Sequence, residues 1–193
     1  MLLKNEFEVD APIDAVWDYF QDVPSLAPCL PGAELTEDLG DDNYKGLVTS
    51  KVGPVTVKFG GTAQVVERDG ASKRIVIAAH GAELKGKGTA VMNLTAQLVP
   101  TGRRTKVKVD QDLQLTGMIA NFGRGMVADV MTVIMRSFAT AVEDNIGRLQ
   151  RGEQPMAAAT SVGGVAIGIK AATLALKRVF GRLLGIRRWY EYA

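Results

Sequence analysis

Between Gly32 and Thr116 apolar side chains recur at every second position in one segment after another, and this alternation restricts the fold more than any other feature of the chain. The segments "AELTE", "YKGLVTSKV", "VTVKFGGTAQVVE", "KRIVIAAHGAEL", "TAVMNLTAQLV" and "TKVKVDQDLQL" are separated by turns such as "GP", "RDGAS", "KGKG" and "PTGRR". Period two sends successive side chains to opposite faces of a strand, and connections this short join antiparallel neighbours. The expectation is about six consecutive strands in a meander. Tyr44, Gly46, Val48 and Ser50 fall on the inward face, as do Phe59 and Val65, Met92 and Leu94, and then Val109, Gln111 and Leu113. Lys58, Lys106, Lys108, Asp110 and Asp112 take the solvent face.

The flanks follow other periods. "LLKNEFEVDAP" alternates as a further strand, and "DAPIDAVWDYF" predicts a short helix with Asp10 as N-cap and Pro12 in its first turn. Pro24, Pro28 and Pro31 leave space for at most one helical turn before Gly32. From Met118 the pattern becomes helical for about 30 residues. Phe122, Met126, Val130, Ile134, Met135, Phe138 and Val142 form an apolar face, and Asp129, Thr132, Arg136 and Thr140 lie opposite. Gly123 and Gly125 open this helix at about 1 kcal/mol each relative to alanine, so either the sheet approaches closely there or the glycines leave room for a ligand. The prediction is an α+β domain over residues 1–150, a linker over 151–164 and a tail over 165–193.

The charge is divided along the chain. The net +2 hides a tail region, 151–193, with seven basic and two acidic side chains, and a body with sixteen and nineteen. An acidic body argues against nucleic acid as partner, because phosphate recognition needs a basic face on the folded domain. Cys29 is the single cysteine, which excludes an intramolecular disulfide and a thiolate cluster. The N-terminus lacks the apolar core of a secretory signal, so a cytoplasmic location is expected. "GAELKGKGT" nearly reproduces a phosphate-binding loop through Gly81, Gly86 and Lys87, but Gly88 replaces the hydroxyl residue and the next segment alternates as a strand, which predicts a hairpin. His80 is the sole histidine and has no spaced acid or cysteine, so neither a metal site nor a triad is expected.

A strand, short helices, a meander and a long closing helix make up a helix-grip arrangement, a curved antiparallel sheet wrapped around the C-terminal helix with an apolar cavity between them. Over residues 1–150 the sequence resembles the START-like, or Bet v 1-like (SRPBCC), superfamily. More narrowly it resembles the CoxG family of carbon monoxide dehydrogenase through "FEVDAPIDAVWDYFQDVPSLAPCLPGAEL" at 7–35, with Trp17, Asp22 to Leu26 and the Leu30-Pro31-Gly32 turn, and through "GMIANFGRGMV" at 117–127. The resemblance implies a non-catalytic accessory protein of a molybdenum hydroxylase of the carbon monoxide dehydrogenase type, held at the inner face of the cytoplasmic membrane.

Such a hydroxylase must deliver electrons to a lipophilic quinone. The expected ligand is therefore menaquinone-like, held in the apolar cavity with no covalently bound cofactor. Tyr44, Ser50 and Gln111 are the candidates to hydrogen-bond its ring oxygens, and Phe59, Met92, Phe122, Gly125, Met126, Met135 and Phe138 the candidates to line its path. The alternatives are a START-like lipid carrier without an enzyme partner and a polyketide cyclase-like enzyme. The latter has little acid or base on the predicted inward face to work with. In the tail, Lys170, Lys177, Arg178, Arg182 and Arg188 cluster on one side of a helical wheel and Phe180 and Leu183 on the other, with Arg187 breaking the pattern and Trp189 near the end. This is the composition of a helix lying in the headgroup layer of an anionic membrane.

Overall fold

The computed structural model describes residues 1–52 and 55–156. The tail residues named above, with 157–164 of the predicted linker, lie outside the described residues.

Alternation becomes a seven-stranded antiparallel sheet. Its strands are β1 (Leu2–Val9), β2 (Ala33–Gly40), β3 (Asn43–Val52), β4 (Val55–Asp69), β5 (Arg74–Glu83), β6 (Thr89–Thr101) and β7 (Arg104–Leu115), in the order β1-β7-β6-β5-β4-β3-β2. The six meander strands pair with their sequence neighbours, and the N-terminal strand closes the far edge by pairing with β7, Leu3 opposite Gln111. Helix α1 (Ile13–Gln21) and the short α2 (Val23–Leu26) bridge β1 to β2, and α3 (Gly123–Gln150) lies on the concave face, nearest β1.

Curvature has a visible cause. Across the concave face Gly46, Gly61 and Gly81 stand opposite one another on β3, β4 and β5. A Cβ built on Gly61 would lie 2.0 Å from the His80 carbonyl oxygen of the adjacent strand, and one on Gly46 would lie 2.7 Å from that of Glu34. Strands approach this closely only without side chains in the way, so these positions let the sheet curl around α3. A bulge between Val65 and Glu67 adds twist in β4.

The helical segments depart from expectation in three places. Pro12, not Asp10, is the N-cap of α1, and no side chain caps it. The proline-rich stretch holds two successive turns rather than one, α2 followed by a 3-10 turn at Ala27–Cys29. Asp22 starts α2 by accepting from the Ser25 amide at 3.2 Å and the Ser25 hydroxyl at 2.6 Å, and Pro24 occupies the first turn, where no amide is needed. The long helix does not begin at Met118. Met118–Phe122 forms a 3-10 turn, and Gly123, at φ +76°, redirects the chain into α3.

Buried residues form three clusters along the concave face. The largest joins β1, α1, the sheet centre and the C-terminal half of α3, with Trp17, Phe20, Met135, Phe138 and Val142. Phe138 meets Phe7 and Phe20 edge-on, at ring separations of 5.8 and 6.1 Å. A second cluster packs Val57 and Phe59 against Ile119, Val130 and Val133, and a third gathers Leu3, Leu113 and Val127.

Candidate functional site

The inner space is unevenly filled. At the end covered by α1, Ile75, Ala96 and Leu98 are buried, but Ile77, Ala79, Met92 and Leu94 beyond them on β5 and β6 are only partly so, as is Ile134 of α3 facing them. Register places all four strand residues on the face that carries Phe59 and Val65. Apolar side chains under a helix normally pack to exclude solvent, so accessible surface here means that α3, drawn toward β1, leaves this part of β5 and β6 incompletely covered. β5 supplies two of these residues, and the sequence reading assigned it no inward set, although the alternation in "RIVIAAHG" carries the signal.

Gln111 is a fully buried polar group of this interior. It has no exposed surface, sits on β7 between Leu3 and Leu94, and donates from Nε2 to the Met135 sulfur at 3.8 Å. Its Oε1 has no hydrogen-bond partner. An amide nitrogen facing a thioether and a carbonyl facing nothing are poorly compensated for the water they lost, at a cost of about 1–3 kcal/mol.

The three expected polar contacts do not converge. Tyr44 is buried near Arg68, Asp38 and Asp42, and burial first and those carboxylates second raise its pKa while Arg68 opposes them. Ser50 lies six residues further along the same strand, about 20 Å away, too far to share one ring with Tyr44. Gln111 stands on the opposite wall.

The apolar candidates spread along α3. Met135 and Phe138 belong to the largest cluster, Phe59, Phe122 and Met126 to the second, and Met92 to the third. From Phe122 to Phe138 this is a track of about 24 Å. Gly125 does not join it. It is exposed, and a Cβ there would meet nothing within 4 Å, as at Gly123, so neither glycine reflects close packing against the sheet. Gly123 is explained by its positive φ.

Three further placements differ from the sequence reading. Val48 lies on the concave face opposite Phe59 but is 47% exposed, on β3 toward the β2 edge of the sheet, whereas Phe59 and Val57 on β4 are buried under α3. Asp129, assigned to the polar face of the helix, is only 4% exposed. Glu83 of β5 shares the concave face with Phe59, yet its Oε2 accepts from the Gly88 amide at 3.2 Å, which holds the β5–β6 turn. That turn leads into strand β6, so the near-match to a phosphate loop is a hairpin, and His80 is exposed on β5.

A polar knot that the sequence did not disclose closes the other end. Asn145 donates to the Tyr19 hydroxyl at 3.0 Å and to the Cys29 sulfur at 3.4 Å, the Tyr19 hydroxyl donates to the Ser25 carbonyl at 2.9 Å, and the Met156 amide donates to Asn145 Oδ1 at 2.8 Å. Burial raises both the Cys29 thiol and the Tyr19 phenol above their ordinary ranges, the phenol further through its contact with Cys29. These bonds fix α1, the proline-rich turns, α3 and the departing chain to one another.

With this architecture in view, the relatives are informative. The profile of CoxG, the G-type subunit family of carbon monoxide dehydrogenase, matches residues 6–147. The chain belongs to that family. The match takes in α1, the whole meander and nearly all of α3, including Gln111, Met135 and Asn145. No functionally curated protein matches the chain. Solved structures share the fold of this CoxG chain at low identity. A conserved protein from Geobacillus kaustophilus has 19% identity and a TM-score of 0.69 over 77% of this chain and 96% of its own. The Zhui aromatase/cyclase from a Streptomyces species has 18% identity and a TM-score of 0.56 over 84% and 99%. A START superfamily protein from Mycobacterium smegmatis has 17% and 0.52 over 77% and 98%. The grip fold is thus the START-like one, and the family ties the chain to carbon monoxide dehydrogenase.

Proposed function

We propose that this CoxG protein is a non-catalytic accessory of a molybdenum hydroxylase of the carbon monoxide dehydrogenase type, which holds a menaquinone-like quinone in its concave interior and links the enzyme to the respiratory chain at the inner face of the membrane. The buried, under-partnered Gln111 amide in a largely apolar and incompletely filled interior carries this reading. A quinone ring oxygen accepts a hydrogen bond, whereas after uptake of two electrons and two protons the same oxygen is a hydroxyl that donates one. An amide offers Nε2 to the first and Oε1 to the second, so one side chain suits both states. Met135, Met126 and Phe122 give an apolar track for the isoprenoid chain, and methionine adapts to a flexible occupant. Anchoring falls to the basic, aromatic tail.

A cyclase-like reaction would need an acid or base free to act inside the grip. Glu83 is committed to the β5–β6 turn, which favours the accessory role. The test is to purify the protein from its native cells and identify the co-purifying lipophile by mass spectrometry, wild type beside Gln111→Leu. A prenylated quinone retained by the wild type and depleted in the variant is the expected result. A phospholipid or fatty acid instead would favour a general lipid carrier, and an aromatic polyketide turned over on incubation would favour the enzyme.

A further inference from the structure

Charge on the folded body is sorted by end. The β3–β4 and β5–β6 hairpins, the end of β7 and the start of α3 meet at one end of the sheet, where Val52 pairs with Val55, Thr89 with Ala82, and Leu115 with Ala90. Lys51, Lys58, Lys85, Lys87 and Arg124 stand there; of the acids, Glu83 is turned inward onto the Gly88 amide, and Asp112, opposite Leu2, pairs with the Met1 ammonium group at 3.3 Å. The opposite end carries Asp14, Asp18, Asp38, Asp41, Asp42 and Asp69 on α1 and the β2–β3 and β4–β5 turns, where Arg68 pairs with Asp42 and Lys73 with Asp14 and the acids remain in excess. A body with net negative charge therefore has one basic end.

The basic end also exposes apolar side chains. Leu84 is 56% and Met118 60% exposed, on two different segments, Leu84 against the convex face at Gly60 and Leu47, and the Gly117 backbone packs directly on Gly88, which places Met118 at the β5–β6 turn. Phe122 and Met126, only partly buried, lead from this end into the interior. The geometry points to this end of the folded domain as a second lipid-facing surface, docking on an anionic bilayer with Leu84 and Met118 in the headgroup layer and the lysines against anionic lipid. Lysines ringing exposed aliphatic side chains suit a membrane interface, where apolar tips insert while the ammonium groups stay hydrated. An apolar ligand entering past Phe122 would pass between bilayer and interior without crossing bulk water. The docking stands apart from the identity of that ligand, and from the tail.

The test uses the full chain with single cysteines introduced as Leu84→Cys, Met118→Cys and, at the acidic end, Leu39→Cys, each carrying an environment-sensitive fluorophore. Native Cys29 is 4% exposed, and a chain without an added cysteine sets its background. On vesicles containing phosphatidylglycerol, the labels at 84 and 118 are expected to shift to the blue and to be quenched by spin-labelled lipid, and the label at 39 is not. The paired reversal Lys85→Glu with Lys87→Glu lies in an exposed turn and should leave the thermal transition in place. It should abolish both shifts even where the tail still carries the protein to the vesicle pellet. The proposal is overturned if the labels at 84 and 118 remain in water on vesicle-bound protein, if the label at 39 shifts equally, or if the shifts survive the reversal. A shift produced by the hydroxylase and not by vesicles also overturns it, and assigns the surface to an acidic protein face.

Discussion

Replacing Gln111 with methionine should stabilise the ligand-free protein while weakening ligand binding. The two side chains have similar length and volume, so packing between Leu3, Leu94 and Met135 is retained, and the change removes a carbonyl with no partner and an amide whose bond to sulfur is 3.8 Å long. Relieving a buried unsatisfied acceptor is worth about 1–3 kcal/mol, and the lost N–H···S contact less than the roughly 1 kcal/mol of an ordinary hydrogen bond. The net gain is about 1–2 kcal/mol, which for a domain of this size raises the melting temperature by about 3–6 °C. In the ligand complex the sign reverses. The ring oxygen loses its hydrogen bond inside an apolar site, at a cost of about 1–2 kcal/mol, or roughly tenfold in Kd. The assay is urea and thermal denaturation of delipidated protein, because retained ligand would add stability of its own, with a parallel quinone titration followed by tryptophan fluorescence. If Gln111→Met destabilises the delipidated protein by more than about 1 kcal/mol, the amide has partners in solution and the reasoning is wrong.

Removing the knot at the other end should be costly. Asn145→Ala leaves the Tyr19 hydroxyl, the Cys29 sulfur and the Met156 amide short of a partner, and an equilibrium urea curve should show a loss of about 2–4 kcal/mol. The raised phenol pKa of Tyr19 sets a pH dependence. The unfolded phenol ionises near pH 10 and the folded one above it, so this stability is complete below about pH 10 and declines as pH rises beyond it. The urea midpoint should fall across that window, and less steeply in Tyr19→Phe. Iodoacetamide at mildly alkaline pH should modify Cys29 slowly in the native protein and quickly in denaturant, since burial both shields the thiol and keeps it protonated, and equal rates would contradict its placement. Gly61→Ala should cost more than about 3 kcal/mol or leave the protein insoluble, because its Cβ would stand 2.0 Å from the His80 oxygen.

Much of the architecture is local, and hence legible in the sequence. Alternation set the six meander strands and the face on which Phe59, Met92 and Gln111 lie, and the 3.6-residue period set the apolar face of the long helix, because both record which side of an element meets water. The glycine-lysine run was readable as a hairpin because the strand after it has period two. Caps and helix starts were less so. Asp10 and Pro12 both suit an N-terminus, and the choice between them depends on how β1 leads into α1.

What tertiary structure alone decided is where elements meet. No local pattern distinguishes Asp129 from Arg136, yet one is buried and the other exposed, since that difference depends on what lies against α3. Tyr44, Ser50 and Gln111 share a face in sequence terms, but six residues of strand part Tyr44 from Ser50 and three intervening strands part both from Gln111, leaving Gln111 to Met135. The knot of Tyr19, Cys29 and Asn145 joins positions up to 126 residues apart, and the basic end gathers lysines from three segments. Periodicity specifies the face of each element, while the curl made possible by Gly46 and Gly61 and the position of α3 against β1 specify which faces touch, and these follow from packing the whole chain at once.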